Sequence, residues 1–205
     1  MDESKKGFLP MLQGKTLSKT QSPATAKERE MMDKIPYASA IGSIMYAMLC
    51  TRPDVAHASS LSSRYQPDPG SELWIAVKDN LKYLRRTKEM FLVYGGEEEI
   101  VANCYVDASF DTYPDDSTSP SGYVFLLTGA AVSWRSSKGP VVAGSTTEAE
   151  YVAASEAAQE TVWMKEFITE LGVVPSALDP MVIYCDNRSH SQHKGTEVSQ
   201  EFQAY

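Results

Sequence analysis

Apolar positions recur along the chain with two different periods, and the change from one to the other divides it. Over residues 36–87 they return every three to four residues, the spacing of one face of a helix. Two shorter helices are predicted, Pro36–Cys50 and Pro53–Tyr65, parted by Thr51-Arg52; Pro53 opens the second, where a missing N–H costs nothing. A longer helix is predicted over Ser71–Thr87. Trp74, Val77, Leu81 and Leu84 form its apolar seam, and Lys78, Lys82 and Arg85 line a basic side. These elements read as a small helical bundle. Met1–Met31 holds no sustained period and is expected to be an extended lead-in, and Gly95–Glu99 is the expected linker.

Beyond the linker the period becomes two. In Ile100–Asp107, Val101, Asn103, Tyr105 and Asp107 share one face of a strand, while Ala102, Cys104 and Val106 share the other. Ser121–Ser136 reads as a hairpin about Thr128-Gly129. The helical period then returns over Glu148–Leu171, opened by Ser145-Thr146-Thr147-Glu148-Ala149-Glu150, where Ser145 with Glu148 or Thr147 with Glu150 fits a capping box. Steps of four and three from Glu150 meet Ala154, Ala157, Thr161, Met164, Ile168 and Leu171, whereas those from Glu148 meet a more polar set. This phase makes Glu150 the head of the buried stripe and Glu148 the cap. Gly172 and Pro175 end the helix, and Met181–Asp186 gives a short strand.

Composition narrows the class. The 205 residues are 42% hydrophobic, ordinary for globular domains, and no apolar run approaches the roughly 20 residues that span a bilayer. Met1-Asp2-Glu3-Ser4 is unlike a signal peptide, so the expectation is a soluble, intracellular protein, with cytoplasm and nucleus not distinguished. Cys50, Cys104 and Cys185 are odd in number and widely spaced, which favours reduced thiols. His190 and His193 lack the companions a zinc site needs. Charge divides with the period. Residues 1–96 carry 14 Lys and Arg against 10 Asp and Glu, while residues 97–205 carry 5 against 17. A phosphate backbone would therefore be met by the first part, where counterion release supplies affinity, and the basic side of Ser71–Thr87 is its expected contact.

Three acids stand at the edges of the predicted elements of the second part: Asp107 closing a strand, Glu150 opening the long helix, Asp186 closing a strand. Carboxylates brought together from distant segments suit a hard divalent cation such as Mg²⁺, with Mn²⁺ as a substitute. Taken alone, Asp107 reads more readily as a turn residue that ends a strand; it is the set of three that points to a metal.

The wording of these segments is more specific than their order. YVDASF, SGYVFLLTGAAVSW, STTEAEYVAASEAAQETVWMKEFITELG and YCDNRS resemble the ribonuclease H region of copia-type retrotransposon polyproteins. LSKTQSP, IPYASAIGSIMYAMLCTRPDVAHA, SRYQPDPG and LKYLRRTKEMFLVYGG resemble the end of the reverse transcriptase that precedes it. The resemblance implies an α/β fold: a ribonuclease H-like mixed sheet, first and fourth strands side by side, with a long helix packed across it, preceded by a small helical segment like a reverse transcriptase thumb or connection. It divides the chain into residues 1–95, residues 100–190 as an incomplete ribonuclease H-like domain, and a divergent tail, 191–205. It also implies that Asp107, Glu150 and Asp186 are catalytic, metal-binding acids acting on the RNA strand of an RNA–DNA hybrid. Other parts of a retroelement polyprotein are the implied partners, no membrane is involved, and no polymerase activity is expected.

Two departures temper the resemblance. Asp115-Asp116 is followed by Ser117-Thr118 where the family usually has basic residues, which removes a positive contact near the substrate. After Cys185-Asp186-Asn187 the chain matches none of the helix, strand and histidine-plus-acid segment that supply the family's fourth active-site group. A catalytically inactive remnant that at most binds nucleic acid or a partner is therefore the alternative expectation, with an exposed sheet edge.

Overall fold

A computed structural model describes residues 7–12, 14–95, 101–110, 113–172, 181–185 and 200–204. The chain forms two compact units. The first is Met1–Phe91 with Tyr113–Asp116, and the second is Leu92–Thr112 with Ser117–Tyr205.

The first unit is helical. A 3-10 turn, Lys19–Gln21, is capped by Ser18, and α1 (Ala26–Asp33) begins in a capping box in which Thr25 accepts the Glu28 N–H and Glu28 reaches back to the Thr25 N–H. The lead-in thus contains ordered structure that an eight-residue helix is too short to reveal by period. α2 (Tyr37–Cys50) and α3 (Ala56–Ser63) lie within the two predicted helices, the latter preceded by a 3-10 turn at Pro53–Val55. α4 spans Ser71–Arg86. Its buried line is Leu73, Ala76, Val77 and Asn80, with Trp74, Leu81 and Leu84 half-buried beside it, so the true seam is rotated from the predicted one and includes a polar residue. The apolar side chains among these pack with Leu17, Tyr37, Ile41, Ile44, Val55, Leu61, Tyr65 and Tyr113 into one core.

The second unit is α/β, a mixed sheet in the order β3-β2-β1-β4-β5. β1 (Ala102–Ala108) pairs antiparallel with β2 (Pro120–Leu127), which pairs antiparallel with β3 (Ala130–Lys138). Thr128 and Gly129 join them with φ of 49° and 79°, the doubly positive pair of a hairpin turn whose twist matches that of the strands. The register shifts after Phe125, leaving Val132 as an extra residue in β3. β4 (Met181–Cys185) runs parallel to β1, with Val106 opposite Cys185. β5 (Gln200–Ala204) pairs antiparallel with β4, so the tail expected to be divergent adds a strand and covers the β4 edge.

Helix α5 (Thr146–Leu171) crosses β1, β2 and β4. Ala149, Ala153, Ala157 and Thr161, four residues apart, are buried, and their small side chains let the helix backbone approach the sheet. Met164 and Ile168 continue the stripe against Met181, Ile183, Phe125, Cys104 and Val106. Ser145 caps α5 by accepting the Glu148 N–H, and Gly172 closes it in the left-handed conformation at φ 64°. Among the described residues, no helix is long and apolar enough to cross a membrane.

Candidate active site at one end of the sheet

Asp107 is the penultimate residue of β1 and is exposed. Strand alternation sets it with Asn103 and Tyr105, because Ala102, Cys104, Val106 and Ala108 turn to the core under α5. Beside it the rings of Tyr105 and Tyr184, opposite each other in the parallel register, stack at 4.9 Å.

Glu150 lies in the second turn of α5 and is half-buried, with Oε2 shielded from solvent. Its place on the helix differs from the expected one. Ala149 heads the buried stripe, one residue earlier, and Leu171 at the other end is exposed, so Glu150 flanks the stripe. The expected and observed stripes share Ala157, Thr161, Met164 and Ile168 and differ only at the ends, where Ala153 and Ala154 are both small enough to face the sheet. Glu148 is the cap, its Oε2 accepting the Gly144 N–H at 2.7 Å.

The register brings these acids to one end of the sheet. Gly122 pairs with Asp107 and Ser121 with Ala108. Pro120 and Ser121 also line a small cavity with Ala149 and Val152, and Ser121 Oγ donates to Glu156 Oε2 at 2.8 Å. The first turns of α5 therefore lie over the C-terminal end of β1. β4, parallel to β1, ends at the same edge with Cys185 beside Val106, the residues that precede Asp186 and Asp107. Asp186 lies outside the described residues, and among those described no group of three His, Cys, Asp or Glu is close enough to hold a metal. Asp107 and Glu150 nonetheless fit a hard cation in kind. Both offer carboxylate oxygens, and Mg²⁺ is commonly held by one or two carboxylates while keeping several waters.

Lys78, Lys82 and Arg85 follow one another at helical spacing on α4, each half-buried. Lys82 Nζ is held by Asp79 at 2.9 Å, and the backbone N–H of Gly7 donates to the Lys82 carbonyl. The Phe8 ring stacks on the Arg86 guanidinium at 3.7 Å. The lead-in thus packs on α4 at Lys82 and Arg86, beside the expected phosphate contacts.

Sequence reasoning missed the network at the C-terminal end of α4. Arg52 is 9% exposed, and its guanidinium donates to both carboxylate oxygens of Asp54 at 2.9 and 2.7 Å and to Thr87. Tyr83 donates to Asp54 at 2.7 Å. Burial alone would push the Asp54 carboxyl up, but hydrogen bonds from Arg52 and Tyr83 outweigh it and hold the carboxyl below its usual range. The Arg52-Pro53-Asp54 triplet was the signal available, an arginine and an acid around a helix-opening proline.

No family model matches the chain, and no solved structure matches it. Curated relatives do. The chain is 44% identical over 189 residues to the retrovirus-related Pol polyprotein from transposon TNT 1-94 of Nicotiana tabacum, covering 92% of this chain and 14% of that protein. It is 34% identical over 158 residues to the Pol polyprotein from transposon RE2 of Arabidopsis thaliana, which it spans for 11% of its length. Secreted RxLR effector protein 161 of Plasmopara viticola is 44% identical over 135 residues, which are 65% of this chain and 94% of that protein. The class is thus that of retroelement-derived proteins. More narrowly, the chain belongs to the family of copia-type retrotransposon Pol sequences, and it spans a small part of the length of the Pol polyproteins it matches.

Proposed function

We propose that the second unit is a ribonuclease H-like domain of a copia-type Pol protein, acting on the RNA strand of an RNA–DNA hybrid with Asp107, Glu150 and Asp186 as metal-binding acids. The observation that carries this reading is the shared sheet end: Asp107 near the end of β1, Glu150 in the second turn of α5, and a parallel β4 that ends beside β1. Side-by-side first and fourth strands under a long helix are compatible with that fold. When bound, Mg²⁺ would supply the positive charge that activates water and offsets charge on the phosphate.

The chain's own residues would divide the work. Asp107, exposed at the strand end, would meet the cation from the solvent side. Glu150, anchored beside the Ala149–Ala153 stripe on a helix pinned to the sheet, would hold one carboxylate in a fixed place. Open solvent beside Asp107 leaves room for a wide minor groove whose 2′-hydroxyls distinguish RNA. The first unit would represent the end of the reverse transcriptase, with Lys78 and Arg85 as its phosphate contacts.

The experiment is cleavage of a labelled hybrid by the full chain, beside single- and double-stranded controls. The expected result is weak Mg²⁺-dependent cutting of the RNA strand, lost in Asp107→Asn and in Asp186→Asn, and strengthened when a complete family C-terminus replaces residues from Ser189 onward. Absence of cutting by the folded chain at saturating Mg²⁺ would favour a second reading, an inactive remnant that binds nucleic acid or a partner. One observation supports that alternative: a relative named as a secreted effector aligns over 94% of its own length with 65% of this chain.

A further inference from the structure

The connection between β1 and β2 contains four residues, Tyr113-Pro114-Asp115-Asp116, that belong to the first unit. The Asp116 N–H donates to the Tyr113 carbonyl, closing a turn with Pro114 in its second position, where a fixed φ favours it. The Tyr113 ring is 2% exposed and forms part of the core with Leu17 and Tyr65. The Arg64 guanidinium covers its face at 3.7 Å and donates to Asp116 Oδ2 at 3.0 Å. Asp115 accepts the Lys19 N–H on both oxygens at 3.0 Å. The Tyr65 hydroxyl lies 2.7 Å from the Leu17 carbonyl and 3.1 Å from Asp115. Burial, and then the neighbouring Asp115, push this hydroxyl up to about 12, so it stays a donor.

The ring and both carboxylates of the turn therefore meet matching groups on the unit. The aromatic ring fills a core position beneath a cation, one carboxylate meets that cation, and the other meets a backbone N–H and a phenol. An aromatic anchor with two charge-assisted contacts is the composition of a peptide-recognition site. We propose that the first unit carries a recognition site for an acidic peptide turn with an aromatic anchor, Tyr-Pro-Asp-Asp, occupied here by the chain's own residues, and that the emptied site takes the same turn in trans. The proposal is independent of the nuclease reading. It gives Asp115-Asp116, which Ser117-Thr118 follows where the family usually has basic residues, a use within the first unit.

The test uses the full chain carrying Tyr113→Ala, Asp115→Asn and Asp116→Asn, and a fluorescein-labelled peptide of residues 110–119. Anisotropy should show saturable binding with Kd of about 10–100 µM, the range left after lost translational freedom is set against a few good contacts. The unmodified chain, already filled, should show none. A scrambled peptide should not bind, and Arg64→Gln added to the triple variant should weaken binding at least about tenfold. A second arm needs no triple variant: hydrogen exchange should find the Lys19 amide protected in the unmodified chain and exchanging about tenfold faster in Asp115→Asn. A folded triple variant that ignores the peptide, or takes the scrambled one equally, overturns the proposal, as does an unprotected Lys19 amide. A triple variant that folds only with peptide present supports it, and one that stays unfolded at saturating peptide overturns it.

Discussion

Arg52 and Asp107 each stand at the edge of a regular element, one just past α2 and the other just before the end of β1, yet the two units treat them in opposite ways. Arg52 is buried and meets Asp54, Thr87 and the face of Tyr83. Asp107 is exposed on a face that α5 does not cover. The first unit, richer in basic residues, uses several of them internally: Arg52 with Asp54, Arg64 with Asp116, Lys82 with Asp79. The second, acid-rich, leaves an acid at the sheet end where chemistry could use it. Net charge by region therefore overstates the positive surface the first unit offers to a phosphate backbone.

The largest effect that would sharpen this contrast is expected from the second unit's core. Phe125 is 1% exposed and packs edge-on to Tyr123 at 5.5 Å, under the α5 stripe. Phe125→Ala should cost about 3–5 kcal/mol through lost burial and a cavity. Tryptophan fluorescence can separate the units, because Trp74 lies in the first while Trp134 and Trp163 lie in the second. In single-tryptophan versions, urea unfolding should shift for Trp134 or Trp163 and stay in place for Trp74. A shift of equal size at both reporters would break the comparison, since the two units would then unfold as one.

The same contrast explains what could be read in advance. α4, the hairpin and α5 were within reach because each is set by local period and local caps: Ser145 before α5, Gly172 after it, Thr128-Gly129 between strands. What escaped depends on partners far along the chain. The Tyr113–Asp116 turn is fixed by Lys19, Arg64 and Tyr65, and β5 is fixed by the backbone of β4. No local pattern encodes either. The candidate site lies between these cases. Asp107 and Glu150 were readable as edge residues, but the phase of Glu150 was not, because an alanine-rich helix offers two nearly equivalent apolar stripes.

A smaller effect is expected from the first unit's internal ion pair. Arg52→Ala would leave Asp54 without its main partner. The cost should be about 2–3 kcal/mol, below that of a fully buried pair because 35% of the Asp54 side chain is exposed. The sign with pH follows from the lowered carboxyl. Its stabilisation is present above the unfolded carboxylate value of about 3.9 and is lost as pH falls through the lower folded value. Urea titrations followed at Trp74 should therefore show the wild-type advantage over Arg52→Ala at pH 7 shrinking toward pH 3. An advantage that persists unchanged at pH 3 would mean that Arg52 acts through packing on Tyr83, 5.5 Å from its ring centroid, and Thr87 instead of through charge.

The smallest effect is expected where composition alone promised the largest. Replacing Lys78, Lys82 and Arg85 together by Gln tests the first unit as a nucleic-acid grip, and each of them that contacts phosphate would account for about 0.9 of the log–log salt slope. Lys82, however, is held by Asp79 while the lead-in backbone bonds to its carbonyl, so its contribution to phosphate binding is expected to be lost or small. The triple change should therefore lower the slope by no more than about 1.8, about equally for every hybrid sequence, and Lys82→Gln alone should leave it unchanged. Asp79→Asn supplies the converse. It frees the Lys82 ammonium and should raise affinity and slope by about one contact if Lys78 and Arg85 already touch phosphate. A slope that responds to none of these changes would make α4 a packing element, and the first unit's basic excess would then serve its own acids alone.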